Sequence, residues 1–155
     1  MKIKGVILAG GNSSRLYPAT KSFTKHFLTI YDKPLIYYPL STLMLAGVKD
    51  ILLICKKNEV DLYKKLLGNG DFLGISISYE IQEQPKGIAE ALFICKKFVS
   101  NNKFYLILGD NLFFGTLFSK ILNDSQKLHN KSSCFFISEV ENPSEFGVLK
   151  YGKKK

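Results

Sequence analysis

The sequence predicts an α/β fold, a doubly wound and mostly parallel sheet, and three observations predict it. Short apolar runs of strand length recur along the chain (KGVILA, DILLIC, FYLIL). Between them lie segments whose apolar residues return every three or four positions, the spacing of a helix with one buried face. Two of the runs end in glycine, at Gly10-Gly11 and at Gly109-Asp110, where an apolar strand must turn sharply. Regular alternation of the two patterns is the mark of helices packed on a parallel sheet.

The elements follow in order. Residues 2–9 (KIKGVILA) read as a buried parallel strand feeding a glycine turn. Residues 34–46 read as a helix with Asp32 as its cap and Gly47 as its stop, its regular part starting near Pro39. Residues 50–55 (DILLIC) form the second strand, and residues 58–67 a helix between Asn58 as cap and Gly68 as stop. The third strand is 75–81 (ISISYEI), followed by a helix over 87–99 with Ile88, Ala91, Leu92, Cys95 and Phe98 on one stripe. Residues 104–108 (FYLIL) are the fourth strand, 115–129 a helix, and 133–140 (SCFFISEV) a fifth strand. A further strand begins at Gly147. No helix follows to cover it, so more polypeptide is expected after residue 155.

Composition narrows the function. A chain of 155 residues with 46% hydrophobic and 23% charged residues has the balance of one soluble globular domain, taken as residues 1–155. Its formal net charge of +9 raises the question of nucleic acid, but all of its 22 basic residues except Arg15 are lysine. Base reading and stacking rely on guanidinium forks, and the lysines are scattered in pairs as on solvated helix faces. A nucleic-acid binder is therefore disfavoured, while the surplus charge still favours an anionic small substrate. Cys55, Cys95 and Cys134 have no metal-ligand spacing and are expected to be buried small hydrophobes in a reducing cytosol. The amino-terminal apolar run is too short for a signal or a membrane span, so the expected location is cytoplasmic, with no membrane partner.

Ligands of open α/β sheets sit beyond the carboxyl ends of the strands, and two such ends carry chemistry. The first is Leu8-Ala9-Gly10-Gly11-Asn12-Ser13-Ser14-Arg15. Its glycines let backbone N–H groups approach a phosphate, its serines add hydroxyls, and Arg15 adds a bidentate fork. It is neither a GxxxxGK[ST] loop nor a GxGxxG fingerprint. An ordinary strand-to-helix turn is the alternative. Lys25 could reach the same phosphates. The second end is Leu108-Gly109-Asp110-Asn111, where a carboxylate can hold Mg²⁺ against a nucleotide's phosphates, or else simply cap the next helix. Both loops should open on one edge of the sheet, which suggests phosphoryl or nucleotidyl transfer.

Residues 8–18 (LAGGNSSRLYP) resemble the LAGGxGTRLxP signature of sugar-nucleotide pyrophosphorylases, and residues 30–47 (IYDKPLIYYPLSTLMLAG) resemble the glucose-1-phosphate thymidylyltransferases among them. Gln82, Gly87, the LGDN of 108–111 and the EFGV of 145–148 fall in that family's order, over about the first half of a member's length. The resemblance implies a Rossmann-like nucleotide-diphospho-sugar transferase fold, here in its amino-terminal portion. It implies dTTP and glucose-1-phosphate as substrates, Mg²⁺ as cofactor and a homo-oligomer. Leu8, Gly10, Gly11, Ser13, Ser14, Arg15 and Lys25 would line the triphosphate, with Arg15, Lys25 and Asp110 catalytic. Gln82 and Gly87 would meet the thymine edge. Asp110 would carry the metal and, with Phe146 and Gly147, face the sugar. This chain departs from the family at Ser13-Ser14 (usually Gly-Thr), at His26 and Thr29 (usually Gln and Pro), and at Phe146 (commonly Tyr). The family's Glu-Lys-Pro lysine and second metal aspartate would fall beyond residue 155. A catalytically dead nucleotide-binding remnant, or a uridylyl- or cytidylyltransferase, are the alternatives.

Overall fold

The computed structural model describes residues 2–11, 13, 16–84, 87–127, 133–145 and 147–149. Its centre is a four-stranded sheet of β1 (Lys4–Leu8), β4 (Asp50–Cys55), β5 (Ser76–Ile81) and β6 (Phe104–Leu108). The spatial order is β5-β4-β1-β6, and every pairing is parallel. β2 (Thr29–Ile30) and β3 (Lys33–Pro34) form a separate small antiparallel hairpin that the hydrophobic pattern gives no sign of.

Strands buried on both faces explain the near-continuous apolar runs. Ile7, Ile51, Leu53, Ile77 and Ile107 face a core shared with α1 (Tyr37–Leu45), α2 (Val60–Leu67) and α4 (Phe118–Gln126). Val6, Leu52 and Ile54 face the opposite way, onto Ala91, Cys95 and Val99 of α3 (Ile88–Val99), whose four-residue spacing makes one stripe. Burying such a Val, Leu or Ile stabilises by about 1.5–3 kcal/mol each. Gly5 is required in β1, because a Cβ there would stand 2.7 Å from Leu43 Cδ1. Pro39 is tolerated because it falls in the first turn of α1, where its missing N–H has no helical acceptor to lose. Gly68 ends α2 at φ +57, as its position after the last periodic residue suggested.

Several expectations need correction. Residues 133–140 form no strand, and neither do 147–149. Phe135, Ile137 and Val148 stand 70%, 62% and 65% exposed, with no neighbouring strand among the described residues. Cys134 is accordingly exposed, while Cys55 and Cys95 are buried as expected. Asp32 caps no helix: it lies in the β2–β3 turn and pairs with Lys33 at 2.8 Å. Asn58 lies in a 3₁₀ turn (Lys57–Glu59) ahead of α2, which starts without a side-chain cap. Among the described residues, no helix is long and apolar enough to cross a membrane.

Candidate functional site

The strand order reverses between β1 and β6. From β1 the chain builds outward through β4 and β5, then returns to place β6 on the other side. A crevice opens at such a switch point, beyond the carboxyl ends of the two strands. Leu8 and Leu108 are paired in register there, and the Gly109 N–H donates to the Leu8 carbonyl at 2.9 Å. The glycine loop and the aspartate loop therefore leave adjacent strand ends side by side.

A second link joins them. Lys25 Nζ meets Asp110 Oδ2 at 2.5 Å, an ion pair across the crevice with both side chains partly exposed. Burial alone would push the Asp110 pKa up. The Lys25 hydrogen bond and charge outweigh it, and the net shift is downward. Lys25 itself is anchored to the glycine loop, because its backbone N–H donates to Ser13 Oγ at 3.1 Å. The Ser13 carbonyl accepts the buried Thr20 hydroxyl at 2.6 Å and the Leu16 N–H at 3.2 Å. The serine that departs from the family pattern thus ties the loop to the lysine. After Asp110 no helix starts until α4 at Phe118. The helix-cap alternative for Asp110 is thereby removed.

Behind the ion pair lies His26, 1% exposed. Its Nδ1 lies 2.8 Å from the Tyr63 hydroxyl and 2.9 Å from Thr24 Oγ1. Burial pushes the Tyr63 pKa up, and which of these groups donates follows the tautomer of the ring. The other ring nitrogen, Nε2, faces Gly109. A Cβ on Gly109 would stand 2.8 Å from that Nε2, so any larger residue there would push on the ring. Burial first, then the charge of Lys25, lowers the His26 pKa to about 4 against a smaller opposing effect of Asp110, and the ring is neutral at physiological pH.

Gln82, expected on the base side, belongs to another cluster. Gln82, directly after β5, is 3% exposed and its backbone N–H donates to the Cys55 carbonyl at 2.8 Å. Its amide oxygen lies against Gly10, where a Cβ would collide with it, and its Nε2 donates to Glu90 Oε2 at 2.6 Å. Gly10 is therefore committed to a close approach by Gln82. Gly11 has open space where its Cβ would be, as an approaching ligand needs. Gly87 sits at φ +94 at the start of α3, also in open space, and exposed Gly147 has no described residue within 4 Å of where its Cβ would be. Leu8 is half-buried as the last residue of β1. Ser14, Arg15 and Phe146 lie outside the described residues. The structure thus brings together Gly10, Ser13, Lys25, Gln82 and Asp110 on one rim. Glu90 and Thr20 were missed, because their partners are set by the fold and leave no local pattern.

Among the described residues no three His, Cys, Asp or Glu side chains gather as a metal cage. A single carboxylate suits Mg²⁺, which keeps several waters and takes its remaining oxygens from substrate phosphates. Asp110 at this rim fits that need.

A switch-point crevice with a glycine loop, a lysine and a carboxylate defines a phosphate-handling α/β protein. The chain belongs to the nucleotidyl transferase family, which it matches over residues 4–155. It is 45% identical over 151 residues to the glucose-1-phosphate thymidylyltransferase of Neisseria meningitidis serogroup A, covering 97% of this chain and 52% of that protein. The Mycobacterium tuberculosis glucose-1-phosphate thymidylyltransferase is 43% identical over 150 residues, again 97% of this chain and 51% of the relative. Among solved structures, a Bacillus anthracis protein assigned as a glucose-1-phosphate thymidylyltransferase, in complex with sucrose, superposes with a TM-score of 0.74 at 38% identity, over 81% of this chain and 51% of that one. A UDP-glucose pyrophosphorylase complexed with UDP-glucose gives 0.67 at 26% identity, over 82% and 54%. The chain spans about half the length of the curated relatives it matches.

Proposed function

We propose that residues 1–155 carry the nucleoside-triphosphate site of a glucose-1-phosphate thymidylyltransferase, which joins dTTP and glucose-1-phosphate into dTDP-glucose and releases pyrophosphate. The observation that carries this reading is the Lys25–Asp110 ion pair, which spans the crevice where a triphosphate would lie. A phosphate oxygen of glucose-1-phosphate attacks the α-phosphorus of dTTP in line, the bond to the β-phosphate oxygen breaks, and pyrophosphate departs. No covalent enzyme intermediate is needed; positioning and charge neutralisation supply most of the rate.

In this reading the backbone N–H groups at Gly10 and Gly11, with Ser13 and Ser14, cradle the phosphates. Arg15 neutralises the departing pyrophosphate. Lys25 leaves Asp110 for a phosphate oxygen, freeing the carboxylate. Asp110 would hold Mg²⁺, which when bound offsets phosphate charge. Gln82 and Gly87 meet the base, while Phe146 and Gly147 lie on the sugar side. A homo-oligomer and a cytoplasmic location belong to the same reading.

The test is equilibrium binding of dTTP, UTP and CTP with Mg²⁺, alongside pyrophosphate release with glucose-1-phosphate. Arg15→Ala and Lys25→Ala should each weaken dTTP binding, and each should cut any turnover by about 10²–10³, as loss of an oxyanion donor does. Binding of dTTP with background release, unchanged by a large excess of enzyme, would establish the non-catalytic remnant instead. Tighter UTP or CTP binding would move the assignment to the corresponding transferase. Absence of any nucleoside-triphosphate binding would overturn the reading.

A further inference from the structure

We propose that Glu90 is a specificity-setting positioning residue: it pins the Gln82 amide in one orientation, so that the site favours a pyrimidine with a 4-keto group over one with a 4-amino group. The inference rests on the nucleotide-site reading above and goes beyond it by naming what fixes the base-facing donor.

A glutamine amide can turn over, exchanging its donor and acceptor ends, and then accept either kind of partner. Here three contacts prevent it. The Gln82 backbone is held by the Cys55 carbonyl at 2.8 Å, and its side chain is buried to 3% exposure. Its Nε2 donates to Glu90 Oε2 at 2.6 Å, and a carboxylate can only accept. Turning the amide would set its oxygen against that carboxylate, two acceptors facing each other in a half-buried place. Its oxygen is correspondingly pressed onto Gly10, where even a methyl group would not fit.

With the amide so held, one N–H is spent on Glu90. The second makes no hydrogen bond to any described residue. The amide oxygen likewise makes no hydrogen bond to any described residue, and with the amide held it stays an acceptor while this N–H stays a donor at a fixed place for a ligand. The 4-oxygen of thymine or uracil accepts from it. The 4-amino group of cytosine presents another donor and leaves both unpaired, a mismatch that a buried hydrogen-bonding site rejects strongly. Glu90 lies in the first turn of α3, which packs on β1 and β4, so the clamp is carried by a rigid element.

The experiment compares dTTP, dUTP and dCTP binding to the 155-residue chain and to E90Q and E90A, with thermal melting as a fold control. A glutamine at 90 can pair with Gln82 in either orientation, and an alanine in none. Both should lower the dTTP:dCTP preference about tenfold, chiefly through tighter dCTP, while dUTP follows dTTP in every variant. An unchanged preference ratio in folded variants that still bind dTTP would overturn the role of Glu90 alone. No nucleotide binding by the parent chain would overturn the site reading and this inference with it. A readout that needs no variant is exchange of the Gln82 side-chain amide protons, observed by ¹⁵N NMR. One of the pair should be slowed relative to solvent-exposed glutamines, and equal fast exchange would refute the clamp.

Discussion

Residues 104–108 (FYLIL) and 133–140 (SCFFISEV) are the same kind of sequence, rich in aromatic and β-branched residues, yet only the first is a strand. β6 lies beside β1 with five residues in parallel register. It sends Ile107 into the main core, and its Tyr105 hydroxyl donates to the Leu122 carbonyl of α4 at 2.8 Å. Residues 133–140 have no neighbouring strand among the described residues, and Phe135 and Ile137 stay largely in solvent. Phe136 is the member that reaches the body of the fold, beside Thr42, Tyr105 and Leu122. Strand propensity is a statement about fitting a pleated, half-buried surface, and without a partner it builds nothing.

The sharpest way to break that contrast is to cut into the strand that forms. Ile107→Ala removes a side chain 7% exposed between α1 and α4, and should cost about 3 kcal/mol by urea unfolding. A loss under about 1 kcal/mol would mean that β6 is no more committed than 133–140.

Comparable in size is the pH dependence set by His26, which belongs to the packed half of the contrast. Its folded pKa is depressed to about 4, chiefly by burial, from 6.5 when unfolded. Between those values the unfolded chain binds the extra proton, so stability rises as pH goes from about 4 to 6.5 and is flat above. The span amounts to about 3 kcal/mol from this one ring. Urea midpoints measured across that range should show the slope, and H26Q should flatten it. A smaller effect, about 1–2 kcal/mol, is expected for Gly109→Ala, since the added methyl meets the His26 ring and the Ala9 side chain and one of them must move.

The same contrast explains what the sequence could tell. All four sheet strands were legible, because burial on both faces writes a run such as DILLIC. The glycine loop and Asp110 were legible because they close such runs, and the strand order then sets them side by side. Contacts made by the folded chain left no trace: Gln82 with Glu90, His26 with Gly109, Ser13 with Thr20. Each involves a loop residue or two separate elements, so no repeat within one element records it. The small β2–β3 hairpin was also hidden, since strands of two residues carry too little pattern. The false fifth strand errs in the other direction. Its residues are strand-like, but whether a partner exists is information held elsewhere in the sheet.

The smallest expected effect tests that last point most directly. Phe135→Ser replaces a ring already 70% exposed and unsupported by any strand, so little apolar surface is removed from water on folding. The change should fall within about 0.5 kcal/mol, as substitutions away from packed groups usually do. Hydrogen exchange should agree: amides of 134–140 should exchange at rates close to those of unprotected chain, while β6 amides bonded to β1 are protected by opening of the whole sheet. If Phe135→Ser instead destabilised by several kcal/mol, or those amides were protected like β6, the segment would have found a partner strand in solution. The outer flank of β6 would be the first place to look for it, because among the described residues β6 is an edge of the sheet and its Phe104 is 39% exposed.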